Sequence, residues 1–442
     1  MYVTISHTDS GGTITYTDYT RIRNLAFAPE VDLIAQSLPV NEFSCDIITT
    51  DAVELGETAE LYDDVDNLFA SYWITYAERQ DANTLRITAK SLLYLMDNAG
   101  NLPAEMWSGK DAGDAILECI QAPGSSFGAA NLSIDSSFDN VTLDGFVPEQ
   151  SARERLLWVL FAMGAYCRTA FNNRVEVLPI SVAGGDLIPL NETFWKPEVI
   201  YKDWVTALTV KSFSFAQGTP GTTDEYVTDG NGVTYLVTST EVSLANNSAP
   251  ANAPENVVRF DDVYLINSSN VSAILTRLST RYFRRTEVEA DIINNAAHVP
   301  GELVSVYADA NTIFRGYIER EDFSFGVQAR SRLALTACED MSVAKLTILC
   351  MYEDTQIGKQ EYTLPVGYIY SIQMLFIDWT MSHRYIFRPL TAVVSSVMTS
   401  AGATVTVNYE VALDLYQGVL GIYNVDDITT VTEDGVVVGV IA

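Results

Sequence analysis

The sequence predicts a mainly β protein with a smaller α+β part: two related β-barrels flanking a mixed domain, followed by a C-terminal all-β module. Three observations predict it. Apolar and polar residues alternate with period two over most of the chain, the pattern of half-buried strands. One internal region breaks this alternation with apolar spacings of three and four, as an amphipathic helix requires. One passage is also written twice, "GETAELYDDVDNLFASYWITYAERQD" from Gly56 and "GELVSVYADANTIFRGYIERED" from Gly301.

Residues 1–97 hold "MYVTISH", "GTITYT", "NEFSCDIITT", "ASYWITYAE" and "TLRITAKS", alternating runs separated by turn signals, and are read as the first barrel. Over 98–198 the pattern changes. "SGKDAGDAILECIQA" and "SARERLLWVLFAMGAYCRT" open on Ser and acidic residues suited to N-terminal capping, and the second places Leu156, Leu157, Leu160, Phe161 and Gly164 on one stripe. A hairpin turning at Asn172 and Asn173 follows, which gives an α+β domain.

Residues 199–343 are read as the second barrel, interrupted at 218–256 by a Thr/Gly/Asn/Ala/Pro-rich insertion with its own hairpin turning at Asp229–Gly232. Within it, "NSSNVSAILTRLSTRYFRRTEVEADI" predicts a capped helix running into a strand, with Arg281, Arg284 and Arg285 complementing the helix dipole. Residues 344–442 alternate throughout and have the size of an independent all-β module.

The repeat aligns in three blocks. Gly56, Glu57, Tyr62, Asp64 and Phe69 fall on Gly301, Glu302, Tyr307, Asp309 and Phe314 in constant register; "YAERQD" (76–81) then meets "YIERED" (317–322), and "LRITA" (85–89) meets "LALTA" (333–337). Identities at Gly, Tyr, Arg and Asp in one order point to internal duplication. The repeated residues Gly56/Gly301, Tyr62/Tyr307, Tyr76/Tyr317, Arg79/Arg320 and Asp81/Asp322 are therefore the candidate interface residues. The glycines also fit a simpler need for turn geometry, and the tyrosines a packing role.

Composition narrows the function classes. With 26 basic against 57 acidic residues the formal charge is −31, yet 48% of residues are apolar, so the chain is folded and strongly anionic. Such a field repels nucleic-acid phosphates, and no basic run offsets it, so specific nucleic-acid binding is not expected. The five cysteines are scattered without C-x-x-C spacing, which predicts reduced, mostly buried thiols. The opening segment lacks signal-peptide regions, and the apolar run Leu156 to Cys167 falls short of the roughly 20 residues a membrane-spanning helix needs.

His7, His298 and His383 are far apart and unaccompanied at metal-ligand spacing, and no glycine pattern cradles a phosphate, so no cofactor or metal is expected. The acidic run Glu60 to Asn67 lacks the ligand spacing of a calcium loop. Carboxylate pairs Glu54/Glu57 and Glu319/Glu321 raise a glycosidase reading, but pairs arise freely among 57 carboxylates. In Glu78-Arg79 and Glu319-Arg320 the adjacent side chains point to opposite strand faces, which suits pairing across an interface.

Two related barrels around a small mixed domain ending in "SARERLLWVLFAMGAYCRTAFNNRVEVLPI" resemble the baseplate hub proteins of contractile phage tails and phage-tail-like particles, the late control protein D and VgrG-type hub family. "HVPGELVSVYADANTIFRGYIERED" looks like the family's Pro-Gly-acidic strand-turn-strand signature, and "NEFSCDIITTD" with "LRITAKSLLYLMD" like its first barrel; the resemblance covers residues 1–343. It implies a non-enzymatic structural hub in the virion or particle baseplate, assembled in the bacterial cytoplasm. It further implies a homotrimer whose six barrels adapt a six-fold tail tube to a three-fold central spike. The implied partners are the tail tube, central spike and wedge proteins and the tape-measure protein. The insertion and the 344–442 module have no counterpart in that pattern. The competing readings are a peptidoglycan- or glycan-acting or glycan-binding tail protein, suggested by 47 aromatics and the acidic pairs, and a distal hub-like protein of a non-contractile tail.

Overall fold

The computed structural model describes residues 2–6, 13–17, 21–62, 68–169, 174–180, 185–188, 192–222, 224–293, 298–309, 312–324 and 330–341, and the backbone of strand segments between 343 and 441. The chain is mainly β. It divides into two compact units, 1–305 with 316–339, and 306–315 with 340–442.

The largest element is a 13-stranded sheet, whose strands are numbered here in chain order. They are β1 (Tyr2–Ser6), β2 (Thr13–Thr17), β3 (Ile22–Phe27), β4 (Glu42–Ile48), β5 (Thr58–Tyr62), β6 (Leu68–Arg79), β7 (Thr84–Lys90), β8 (Asp186–Ile188), β9 (Glu198–Tyr201), β10 (Thr286–Ile293), β11 (Leu303–Asp309), β12 (Thr312–Ser324) and β13 (Arg330–Asp340). The order is β9-β10-β13-β12-β3-β4-β7-β6-β5-β1-β2, with β11 on β12 and β8 on β11.

That order contains one pattern twice. The first set runs β3-β4-β7-β6-β5-β1 and the second β9-β10-β13-β12-β11-β8, and each set visits its strands in the same chain order. Its residues explain why. In β4 the alternation buries Phe43, Cys45 and Ile47, and in β10 it buries Val288, Ala290 and Ile292, so each strand turns one apolar face inward. Asp46 lies opposite Arg86 of β7, and Asp291 lies opposite Arg332 of β13. Arg86 and Asn24 hydrogen-bond Asp46, which holds its carboxyl below the usual carboxylate range.

The helices lie outside the sheet: α1 (Leu92–Asp97), α2 (Ala112–Gln121), α3 (Ala152–Met163) and α4 (Val271–Tyr282). The apolar run Leu156 to Cys167, too short to span a membrane, forms most of α3 and then the start of a strand, Ala165–Thr169. Ser151 and Glu154 form a capping box at its start, and Gly164, at φ +83, closes its end by donating to the Leu160 carbonyl. Leu156, Val159, Leu160 and Phe161 are buried. No helix among the described residues is long and apolar enough to cross a membrane.

One expectation changes here. Ala207–Gln217, read from its alternation as part of the second barrel, joins a separate four-stranded sheet with Tyr226–Thr228, Thr234–Ala245 and Val257–Phe260. Everything between β9 and β10 is thus an excursion from the sheet, wider than the expected 218–256. Alternation specifies a strand but not its partner. The excursion shares a core with the mixed domain: Leu208, Val210, Phe260, Ile274 and Leu278 pack in one cluster with Ile116, Leu156 and Leu160. The Phe161 and Phe260 rings lie 5.5 Å apart.

In the second unit, Val343–Tyr352 pairs antiparallel with Thr355–Pro365 and parallel with Val436–Ile441, and His383–Thr399 pairs along Gly402–Leu415. The turn at Asn172 and Asn173, part of the acidic run (63–67) and the side chain of Cys350 lie outside the described residues.

Candidate functional site

Where the two strand sets meet, the chain builds a joint out of β3, the segment that follows it, and the end of β12. Phe27 pairs with Phe323. Beyond it the Val31 N–H donates to the Glu319 carbonyl at 2.9 Å and the Glu321 N–H to the Pro29 carbonyl at 3.1 Å, with a bridge between Glu30 and Arg320. Alternation decides what faces inward: Phe27, Pro29 and Val31 are buried, Ala28 and Glu30 exposed.

Phe323 crosses into the core of the first set. Its ring stacks on Phe27 at 5.3 Å and meets the edge of Phe69 at 5.1 Å, within a cluster that includes Phe43, Tyr72 and Ile74. A cavity of about 20 Å³, water-sized, lies beside it between Phe27, Pro29, Asn41, Thr169 and Pro300. Asn41 spans the joint, donating to Thr169 Oγ1 at 2.9 Å and accepting the Glu30 N–H at 2.9 Å.

The mixed domain reaches the same place. Tyr166 donates to the Gly301 carbonyl at 3.2 Å, and burial pushes its phenol up to about 12. Arg168 binds Glu176 at 2.6 Å and Glu302 at 3.4 Å. The half-buried Arg277 guanidinium takes the carbonyls of Phe161 (2.7 Å) and Ala165 (3.2 Å) at the end of α3, and desolvation pushes its pKa down to about 10. Of the three arginines read as complementing the α4 dipole, Arg281 lies in the last turn of the helix, whereas Arg284 and Arg285 lie beyond its end. Arg281 binds Glu287 and Glu319, Arg284 binds Glu339, and Arg285 lies over the rings of Tyr201 and Trp204.

Glu321 is the unusual residue of the joint. It is fully buried, and neither carboxyl oxygen meets a donor in hydrogen-bonding geometry. Burial pushes its pKa up to about 8, the neighbouring Ser331 hydroxyl opposing and Glu302 adding to the rise. Glu319 is raised by burial, with Arg281 opposing. A sealed Glu321, and a Glu57 that is 5% exposed and accepts the Glu54 N–H, leave neither acidic pair presenting two carboxylates to a sugar.

The ten repeated residues fall at several places. Gly56 and Gly301 have the same left-handed backbone, φ +91 and +94. They also make the same bonds: Gly56 donates to Ile74, which donates to Glu57, and Gly301 donates to Ile318, which donates to Glu302. Tyr62 donates to Glu60, Arg79 to the carbonyls of Thr49 and Asp51, and Arg320 pairs with Asp322. Asp81 accepts from Asn83 and Thr84 at a turn, and Tyr307 is half-buried. Tyr76 is exposed and donates to Glu78. Tyr317 is a core residue, 2% exposed against Val31, Leu33 and Tyr166.

These bonds revise the alignment beyond its first block. Ile74 corresponds to Ile318, so "YAERQD" and "YIERED" are matched three residues out of register. An odd slip exchanges strand faces, which is why Tyr76 is exposed and Tyr317 buried. The pairings Asp46↔Arg86 and Asp291↔Arg332 place Leu85–Ala89 on Ser331–Leu335, two residues before the matched "LALTA". The signal for this was available in "CDII" (45–48) and "ADII" (290–293).

No family model matches the sequence, and no curated protein matches it. Solved structures do. A tail protein from Neisseria meningitidis is 12% identical, covering 76% of this chain and 96% of that chain with a TM-score of 0.51. The 43 kDa tail protein of prophage MuSo2 from Shewanella oneidensis is 9% identical, covering 76% and 98% with a TM-score of 0.50. The chain shares the fold of these two tail proteins.

Proposed function

We propose that the protein is a structural component of a phage tail or phage-tail-like particle, and within it a baseplate hub. The observation that carries this reading is the strand order that occurs twice in one chain. Three chains supply six similar sets, so a trimer meets a six-fold tube on one side and a three-fold spike on the other. The shared fold with two tail proteins supports the tail assignment, and the resemblance in sequence motifs supports the hub. The joint between the sets is apolar, hydrogen-bonded and closed, which suits a part that holds shape rather than one that turns over a substrate. In this reading the protein sits in the baseplate after assembly in the host cytoplasm. Its partners are the tail tube, central spike and wedge proteins, and the tape-measure protein.

The test is absolute mass by light scattering over a range of protein and salt concentrations. A trimer of 48.6 kDa chains, with six peripheral densities in averaged electron micrographs, is the expected result. A stable hexamer removes the three-to-six argument.

A further inference from the structure

The internal joint has a socket and a plug, and each has a counterpart left open on the other strand set. The plug is Phe27 to Val31, following β3. Its counterpart follows from register: Phe27 pairs with Phe43, two residues before Cys45, as Val199 pairs with Val288, two residues before Ala290. Pro29 and Val31 thus correspond to Tyr201 and Asp203. Pro29 and Val31 are buried, whereas Tyr201 is 59% exposed, with Trp195 beside β9 at 68%. Among the described residues β9 pairs with β10 alone.

The socket is Glu319 to Phe323, following Ile318 on β12. Its counterpart follows Ile74 on β6, the stretch Thr75 to Arg79, which pairs on one side with β7. Tyr76 there is 45% exposed. Pro300, just before Gly301, lines the internal joint; Leu55, just before Gly56, is 67% exposed. Of the six exposed large apolar side chains among the described residues, Tyr201 therefore lies on the open plug, Tyr76 on the open socket and Leu55 beside it. An edge strand bearing exposed aromatics is a template for pairing. Glu30 faces Arg320 internally; in the open pair Lys202, which bridges Glu287 in its own chain, stands where Glu30 does, opposite Tyr76, with Glu78 two residues along.

We propose that the β9 end of one chain docks on the β6 end of a second copy, repeating between chains the joint made within each. Tyr201 occupies the place of Pro29, and Leu55 that of Pro300. The contact is head to tail, so it closes into a ring when the rotation per chain divides the circle. The inference rests on the assembly reading above and adds to it the surfaces that meet.

The test uses the full chain with Cys350→Ser throughout, carrying Tyr76→Cys and Tyr201→Cys together, treated with a short bismaleimide, beside each single variant. The double variant is expected to give covalent dimer and trimer and nothing larger, while each single variant stays uncrosslinked. Tyr201→Asp and Leu55→Asp, both at exposed positions, are expected to lower the light-scattering mass from three chains to one with the circular dichroism spectrum unchanged. A trimer by mass that neither crosslinks nor responds to these substitutions overturns the joint and leaves the hub reading standing. A chain that is monomeric and uncrosslinked at every concentration overturns both. Crosslinking in either single variant shows like surfaces meeting, and also overturns the joint.

Discussion

Gly56 and Gly301 have one backbone conformation in two surroundings, which separates two reasons for a glycine. A side chain at Gly56 would meet nothing within 4 Å, whereas one at Gly301 would run into the Tyr166 ring at 2.4–2.7 Å. Gly56→Ala is therefore expected to lose about 1–2 kcal/mol from left-handed strain alone. Gly301→Ala is expected to lose distinctly more, read from urea midpoints. Glu321 makes a second residue-scale prediction. Its folded pKa, about 8, lies above the carboxylate value of 4.5, so the folded state binds the extra proton between those values and stability falls as pH rises through that window. Glu321→Gln should be more stable than the parent at pH 8.5 by on the order of 3 kcal/mol, with the difference vanishing near pH 4.5. Equal midpoints at pH 8.5 would show that the carboxyl is not sealed.

Helix α3 ends on help from another element. Its last carbonyls are taken by the Arg277 guanidinium of α4, so Arg277→Met leaves buried acceptors unsatisfied and is expected to cost on the order of 2–3 kcal/mol. Ser151→Ala, at the other end, removes a capping box and is expected to cost about 1 kcal/mol. If Arg277→Met proves the milder of the two in thermal denaturation, water replaces the guanidinium. At this scale the sequence was readable in kind and unreadable in pairing. Period-two runs announced the strands, and Ser151, Glu154 and the apolar stripe announced α3. Nothing in "VTALTVKSFSFAQ" said that its partners were Thr234–Ala245 and Val257–Phe260 rather than a barrel. The repeat was visible, but its letters misled: a slip of two in "LRITA" and "LALTA" laid one buried face on another, Leu85 on Leu333 and Ala89 on Ala337, so apolar letters matched out of register; "CDII" and "ADII", with Asp46 and Asp291 set between buried residues, carry the true register. Arg277 gave no signal and Glu321 stood out only as half of an acidic pair, since their roles depend on carbonyls and neighbours far away in the chain.

For the whole molecule, charge sets the terms of assembly. Copies carrying −31 each repel one another, and the screening length shortens from about 30 Å at 0.01 M salt to about 8 Å at 0.15 M. Association of copies should therefore tighten with added salt in sedimentation experiments; loosening would show that local ion pairs between copies outweigh the overall field. The four described thiols, Cys45, Cys119, Cys167 and Cys338, are buried and unpaired. Burial pushes all four pKa values up, Cys119 and Cys167 to about 12.

Phe323 also sets a timetable. The first strand set leaves the ribosome early, but the ring that completes its core arrives only when β12 has been made, near the end of the first unit. Until then the nascent set carries an unfilled slot beside Phe27 and Phe69, and a Phe323 from a neighbouring chain fits it as well as its own. Crowded synthesis on one messenger thus favours exchange of β12 between chains, and slow, dilute expression favours each chain completing itself.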